Sequence, residues 1–189
     1  MKSWIRICLF LVPVIFYTFL TAAPTPAVTS GKELSTGKNL DVPFGPKGSV
    51  LVFLSAKCPC SNSHIALLKT MAEKFKDFSF VAIHSNADEN LEDSKKYFQK
   101  VQLPFPVIQD DKTKLADFYK ANRTPHVFVL SAASKVLYQG GITNSSEAPK
   151  ADKNYLQEAL QDIVAGRPVA TPEGRTLGCG IKREEKHVW

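Results

Sequence analysis

Five consecutive apolar residues, Val50-Leu51-Val52-Phe53-Leu54, run almost directly into Cys58-Pro59-Cys60-Ser61, and this junction constrains the fold more than any other part of the chain. An unbroken apolar run of that length suits a strand buried on both faces, which requires a sheet covered by helices on each side. The next segment carries Ile65, Leu68, Ala72 and Phe75 at helical spacing, and Phe78 to His84 reads as a second apolar strand. Leu91, Ser94, Phe98 and Val101 mark another helix, ended by Pro104. Phe105 to Gln109 suits a short strand, and Leu115, Phe118 and Tyr119 a short helix. Val127 to Leu130 and Val136 to Gln139 read as two strands joined by a small-residue turn. Leu156, Leu160, Ile163 and Val164 form the last helix, stopped by Gly166 and Pro168. The order predicts an α/β fold with a central mixed β-sheet flanked by helices.

The ends of the chain read differently. Lys2 and Arg6 precede an apolar stretch from Ile7 to Leu20, and Thr21, Ala22 and Ala23 follow it. This charged, apolar, small-residue order predicts a secretory signal over residues 1–23, cut between residues 22 and 27. The apolar stretch falls short of the roughly 20 residues a spanning helix needs, and Pro13 interrupts it. The mature protein is therefore expected to be exported, to a periplasmic or extracellular location, without stable membrane insertion. Residues 24–36 read as a flexible arm, 37–168 as the folded domain, and 169–189 as a polar tail carrying Cys179. At 189 residues, with 44% hydrophobic and 22% charged, the chain suits one globular domain and excludes a disordered, collagen-like or multi-span protein. Loss of Lys2 and Arg6 leaves 22 basic residues against 18 acidic, and no aromatic-interleaved basic stripe points to nucleic acid.

Cleavage also removes Cys8 and leaves Cys58, Cys60 and Cys179, an odd number for an oxidising compartment. Four cysteines are too few for a disulfide-stapled miniprotein and badly placed for a structural zinc site, which wants two separated close pairs. A cysteine where a strand gives way to a helix faces unpaired N–H groups and the positive end of the helix dipole, which favour thiolate. Proline suits the first helical turn, where its missing N–H costs nothing. Cys58 is the expected attacking thiol at an exposed cap, with Lys57 adding a weaker positive influence. A Cys58–Cys60 bond would close a tight ring, whereas Cys179 offers a less strained partner if the tail folds back over the helix start. A second feature is Arg123-Thr124-Pro125-His126, a proline opening a strand; on sequence alone a trans bond has the better base rate.

Together these residues resemble the thioredoxin superfamily, in its redoxin branch of peroxiredoxin-like proteins (the alkyl hydroperoxide reductase and thiol-specific antioxidant group). The likeness runs from about Leu40 to Ile181. It rests on the strand before Cys58, the Cys58-Pro59 helix start, Thr124-Pro125, and the late Gly178-Cys179-Gly180-Ile181 tail. The resemblance implies a thioredoxin-like fold and a cis Thr124–Pro125 bond beside Cys58, with Thr124 and Pro125 receiving a bound thiol partner. Two departures bear on activity. Ser61 stands where the second thioredoxin cysteine would be, leaving Cys60 or Cys179 to resolve a mixed disulfide. The peroxiredoxin pattern keeps its hydroxyl at Ser55 but has Leu51 in place of its proline, and Pro125 occupies the approximate place of its arginine.

The leading expectation is an enzyme, a thiol–disulfide oxidoreductase acting through Cys58, Cys60 and Cys179 on protein thiols or disulfides or on a redox partner protein. It needs neither a cofactor nor a metal. The alternatives are a thiol peroxidase passing through a sulfenic acid at Cys58, and a copper-binding module using Cys58, Cys60 and His64. Helix capping is the expected work of the polar loop His84, Asn86, Asp88 and Glu89, and His126 receives no proton-transfer role. Asn122-Arg123-Thr124 and Asn144-Ser145-Ser146 match glycosylation acceptors and are read as chance.

Overall fold

The computed structural model describes residues 30–41 and 44–184. Nine strands and four helices follow one another as β1 (Ser30–Glu33), β2 (Asn39–Asp41), β3 (Gly48–Leu54), α1 (Pro59–Lys74), β4 (Phe78–His84), α2 (Leu91–Val101), β5 (Val107–Gln109), α3 (Lys114–Phe118), β6 (Arg123–Thr124), β7 (His126–Leu130), β8 (Val136–Gly140), α4 (Tyr155–Val164) and β9 (Cys179–Gly180). Seven strands form one mixed sheet in the order β2-β1-β5-β4-β3-β7-β8. β3, β4 and β5 run parallel, and β7 lies antiparallel to β3. β3 sits near the centre with all seven residues buried, as its unbroken apolar run requires.

Strand periodicity sorts this run into two cores. Val50, Val52 and Leu54 face Ile65, Leu68 and Met71 of α1, Phe98 of α2, and Leu156 and Leu160 of α4. Leu51 and Phe53 face the other way, with Val81, Ile83, Phe128, Ala116 of α3 and Ile181 of the tail. Both faces are therefore covered, and the carboxyl ends of β3 and β4 point to one edge, where Cys58 and Glu89 lie.

The segment read as a flexible arm is ordered from Ser30 onward. Lys32 and Glu33 pair antiparallel with Gln109 and Ile108, and Leu34 is buried in the core. β2 closes a hairpin on β1. These strands are short and polar, so their pairing depends on a distant edge and leaves no periodic signal. β5 begins at Val107, later than Phe105, because Pro104 and Pro106 have no N–H to give a ladder. The secretory signal expected over residues 1–23, its cut site, Cys8 and arm residues 24–29 lie outside the described residues. Among the described residues, no helix is long and apolar enough to cross a membrane.

Candidate functional site

Cys58 is the N-cap of α1, with Pro59 following in the first turn and the Asn62 N–H closing the first helical bond onto the Cys58 carbonyl at 3.0 Å. The tail comes back over this helix start. Arg123 pairs with Gly180 and Thr124 with Cys179 in a short antiparallel ladder, extended by the Ile181 N–H on the Asn122 carbonyl at 3.0 Å. Buried Ile181, the Ala87 N–H on the Lys182 carbonyl (2.9 Å) and Arg183 against Asp117 (2.6 Å) hold the tail beyond it. Gly178 is required where the tail turns in, with φ +149° and its α-carbon against the Thr124 carbonyl, where a Cβ would collide.

This arrangement brings Cys58, Cys60 and Cys179 together, their three Sγ atoms lying within 4.8 Å of one another, each a free thiol. It also corrects the expectation of an exposed Cys58. The residue is only 2% exposed, because the tail strand and the Thr124–Pro125 loop cover it. The Thr124–Pro125 bond is cis, against the trans form that sequence alone favours and in line with the resemblance. Thr124 meets the thiol through its backbone: the Cys58 thiol donates to the Thr124 carbonyl at 3.1 Å.

The three thiols differ sharply in acidity. Burial pushes the Cys58 thiol up, but hydrogen bonds from the Cys179 thiol, contact with Thr124 and the backbone N–H groups of Ser61 and Cys179 outweigh it, bringing Cys58 down to about 7. The Ser61 N–H is a first-turn donor of α1, so the helix start acts as the sequence suggested. Lys57 does not contribute. Cys60 is raised by burial and by the charge of Cys58. Burial, its hydrogen bond to Cys58 and the charges of Cys58 and Cys60 push Cys179 up to about 12. One thiolate shared by two protonated thiols is thus the resting arrangement near neutral pH.

This sets a pH dependence. The folded Cys58 value lies below the ordinary thiol value near 8.5, so the stability it contributes is present above that value and lost as pH falls through about 7. Thiolate absorbance of the reduced protein should show a single thiol titrating near pH 7, absent in Cys58→Ser. Thermal stability of the reduced protein should rise between about pH 6 and pH 8. A first thiolate appearing only near pH 9 would contradict the assignment.

Beneath Cys58 lies a polar group that sequence reasoning assigned to capping. The Glu89 side chain is 2% exposed and pairs with His84 Nε2 at 3.0 Å. It also accepts from the Ser55 hydroxyl and from the Ala56 N–H at 2.9 Å. Ser55 Oγ in turn accepts the Cys58 N–H at 3.0 Å, so a buried carboxylate fixes the backbone of the thiol-bearing residue through one hydroxyl. Burial alone would raise the Glu89 carboxyl, but hydrogen bonds from His84 and Ser55, the charge of His84 and the Ala56 N–H hold it below the ordinary carboxylate value. α2 is capped by Asn90, whose Oδ1 accepts the Glu92 and Asp93 N–H groups at 3.0 and 3.1 Å. His84 is only five residues from Glu89, at the end of β4, but Ser55 and Ala56, just past β3, are 34 and 33 residues away and could not be matched to it from the sequence.

Three further residues find plain roles. Ser61 is fully buried, and its hydroxyl accepts the Ser55 N–H at 3.3 Å, tying the end of β3 to α1. His64 is committed on both nitrogens, Nδ1 to the Cys60 carbonyl at 2.8 Å and Nε2 to the Thr143 hydroxyl at 2.9 Å, so it is no partner for Cys58 and Cys60 in a metal site. Burial pushes His126 down to about 4, which keeps it neutral and outside any proton relay at neutral pH.

The sheet order, the helix start at Cys58 and the cis proline opposite it define a thioredoxin-like fold. In sequence, residues 45–136 match the family model described as thioredoxin-like, so the chain carries a thioredoxin-like domain. An uncharacterized conserved protein from Geobacillus kaustophilus superposes with a TM-score of 0.74 at 25% identity, over 83% of this chain and 89% of that one. A secreted disulfide oxidoreductase of Mycobacterium tuberculosis homologous to E. coli DsbE is similar over 57% of this chain and 78% of its own, with a TM-score of 0.50 and 22% identity. Peroxidoxin BcpB of Mycobacterium tuberculosis is similar over 73% and 92%, with a TM-score of 0.55 and 18% identity. No curated protein sequence matches the chain.

Proposed function

We propose that the protein is an exported thiol–disulfide oxidoreductase in which Cys58 is the nucleophile and Cys179 the resolving thiol. The observation that carries this reading is the convergence of Cys58 and Cys179 on the Thr124 backbone, the one thiol brought down to about 7 and the other up to about 12. Thiolate Cys58 attacks a partner disulfide; the partner S–S bond breaks, a Cys58–partner bond forms, and one partner sulfur leaves as thiolate and takes up a proton. That step consumes the Cys58 charge, which is among the causes holding Cys179 protonated. Cys179 can then lose its proton and attack Cys58, forming a Cys58–Cys179 disulfide and releasing the second partner thiol. The partner is reduced and the enzyme oxidised by two electrons, and an external dithiol restores it.

Cys60 is the poorer resolving thiol. It stands two residues from Cys58 in the first turn of α1, and although its sulfur lies near that of Cys58, a disulfide across one intervening residue would close a tight, strained ring at the helix start. Export rests on the N-terminal sequence pattern and on the location printed for one similar structure, the secreted oxidoreductase. The peroxidase reading has less support, since among the described residues no cation is a cause of the lowered Cys58 thiol, and Arg123, on the strand beside Cys179, donates to the Gly178 carbonyl at 2.9 Å.

The test is accumulation of the intermediate. Cys179→Ser should retain the first step and trap a mixed disulfide with a reduced-and-alkylated control absent, seen as a partner-sized mass added to Cys58, while steady turnover falls by about a hundredfold. Cys60→Ser should leave turnover within about threefold. The reverse pattern, with trapping in Cys60→Ser and none in Cys179→Ser, would overturn the assignment of the resolving thiol.

A further inference from the structure

We infer that the reduced protein binds one Cu(I) ion through the three sulfurs of Cys58, Cys60 and Cys179, the tail supplying the third ligand. Metal–sulfur bonds of about 2.3 Å place three sulfurs around a central ion about 4 Å apart, and here all three Sγ atoms already lie within 4.8 Å of one another. A contraction of at most about 0.8 Å between sulfurs closes the site, within reach of side-chain adjustment.

Ligand softness and ligand number choose the metal. Thiolates select Cu(I), zinc or iron–sulfur clusters, and structural zinc takes four protein ligands. Among the described residues, the cluster offers three His, Cys or carboxylate ligands and stops there. His64, the nearest candidate for a fourth, is held on both ring nitrogens by Cys60 and Thr143. A three-sulfur, three-coordinate site suits Cu(I). Binding releases the protons of the thiols that are still protonated and leaves the copper at the same oxidation state throughout. The three thiolates and one Cu(I) leave an excess of negative charge, which faces the Ser61 and Cys179 N–H groups. Cys58 is buried, while Cys60 and Cys179 are half-buried, so the site lies at the edge of the protein with its Cys58 side covered.

The site is distinct from the redox reading in what it requires. It needs all three sulfurs reduced and no partner disulfide, and both roles are exclusive at any one moment, so bound Cu(I) should also block attack by Cys58.

The experiment uses the mature chain, fully reduced under argon, with Cu(I) delivered against a colorimetric bidentate chelator. The expected result is retention of one copper per chain and X-ray absorption showing three sulfur neighbours. Cys179→Ser should lower the Cu(I) affinity by about a hundredfold and reduce the shell to two sulfurs, and Cys60→Ser should do the same; circular dichroism confirms that each variant is folded. His64→Gln, if folded, should bind as the parent does. No copper retained against the chelator, an affinity unchanged in Cys179→Ser, or a histidine nitrogen in the shell would each overturn the inference. So would selective retention of Zn(II) in a three-sulfur, one-oxygen shell with Cu(I) given up. Because no partner disulfide enters this measurement, loss of copper binding with disulfide turnover intact condemns the metal site alone, and the converse condemns the redox reading alone.

Discussion

Cys58→Ser is expected to abolish turnover of insulin disulfides with dithiothreitol as donor, by about a thousandfold or more, while leaving the fold intact. The thiolate is the attacking species in exchange chemistry, and a serine hydroxyl supplies no comparable anion at neutral pH. Neither remaining thiol can substitute. Cys60 lies inside the first turn and not at the helix cap, and burial, the first cause that raises both remaining thiols, persists when the Cys58 charge is removed. The substitution is small, and the Cys58 N–H that binds Ser55 is backbone and survives it. Unfolding in urea at or below about pH 7, where the Cys58 thiolate adds little, should therefore move little, and activity should be lost without stability. Residual turnover above about a tenth of the parent would show that another thiol starts the reaction.

The second large effect belongs to stability. Glu89→Ala should destabilise the protein by about 3–5 kcal/mol, the cost of leaving several buried donors without their acceptor. It strips the acceptor from His84, from the Ser55 hydroxyl and from the Ala56 N–H at once, all at the buried end of β3. Glu89→Gln keeps an acceptor oxygen of similar shape and should lose less than half as much. The carboxyl is held below its ordinary value, so the sign of the pH effect follows: its stabilising contribution is present above the ordinary carboxylate value and is lost as the medium is acidified through the folded one. Urea midpoints of parent, Glu89→Ala and Glu89→Gln at neutral and acidic pH measure this directly. A difference between parent and Glu89→Ala that fails to shrink on acidification would show that packing, and not the hydrogen-bonded carboxylate, carries the effect. Since Ser55 receives the Cys58 N–H, the same variants should also slow attack by Cys58 even under conditions where the chain stays folded.

The elements with strong periodicity were legible in the sequence. β4 and α2 have the expected boundaries at Phe78–His84 and Leu91–Val101, and the run Val50 to Leu54 is the heart of β3. Such segments carry their own signal because burial on both faces demands continuous apolar residues and helical faces demand a period near 3.6. β1, β2, β6 and β9 were not legible. Each is two to four residues long; β1, β6 and β9 pair with a segment distant in sequence, Lys32 with Gln109 and Thr124 with Cys179, and β2 only closes a hairpin on β1.

The candidate site divides along the same line. The three cysteines and Thr124-Pro125 could be singled out by residue type and by resemblance. Their convergence within one cluster could not, since it depends on a tail reaching back across the sheet. The tail also reversed the expected exposure of Cys58, and the bonds from Ser55 and Ala56 to Glu89 emerged only when β3 and β4 were side by side in register, with Leu54 opposite His84. Residue chemistry is local and readable, while burial and partnership are properties of the assembled fold.

The pairing of the three thiols is the claim on which the rest depends. Oxidise the mature protein with one equivalent of a small disulfide, block remaining thiols, digest, and identify the linked peptides by mass spectrometry. The account predicts a Cys58–Cys179 disulfide with Cys60 alkylated. A Cys58–Cys60 bond with Cys179 alkylated would contradict it.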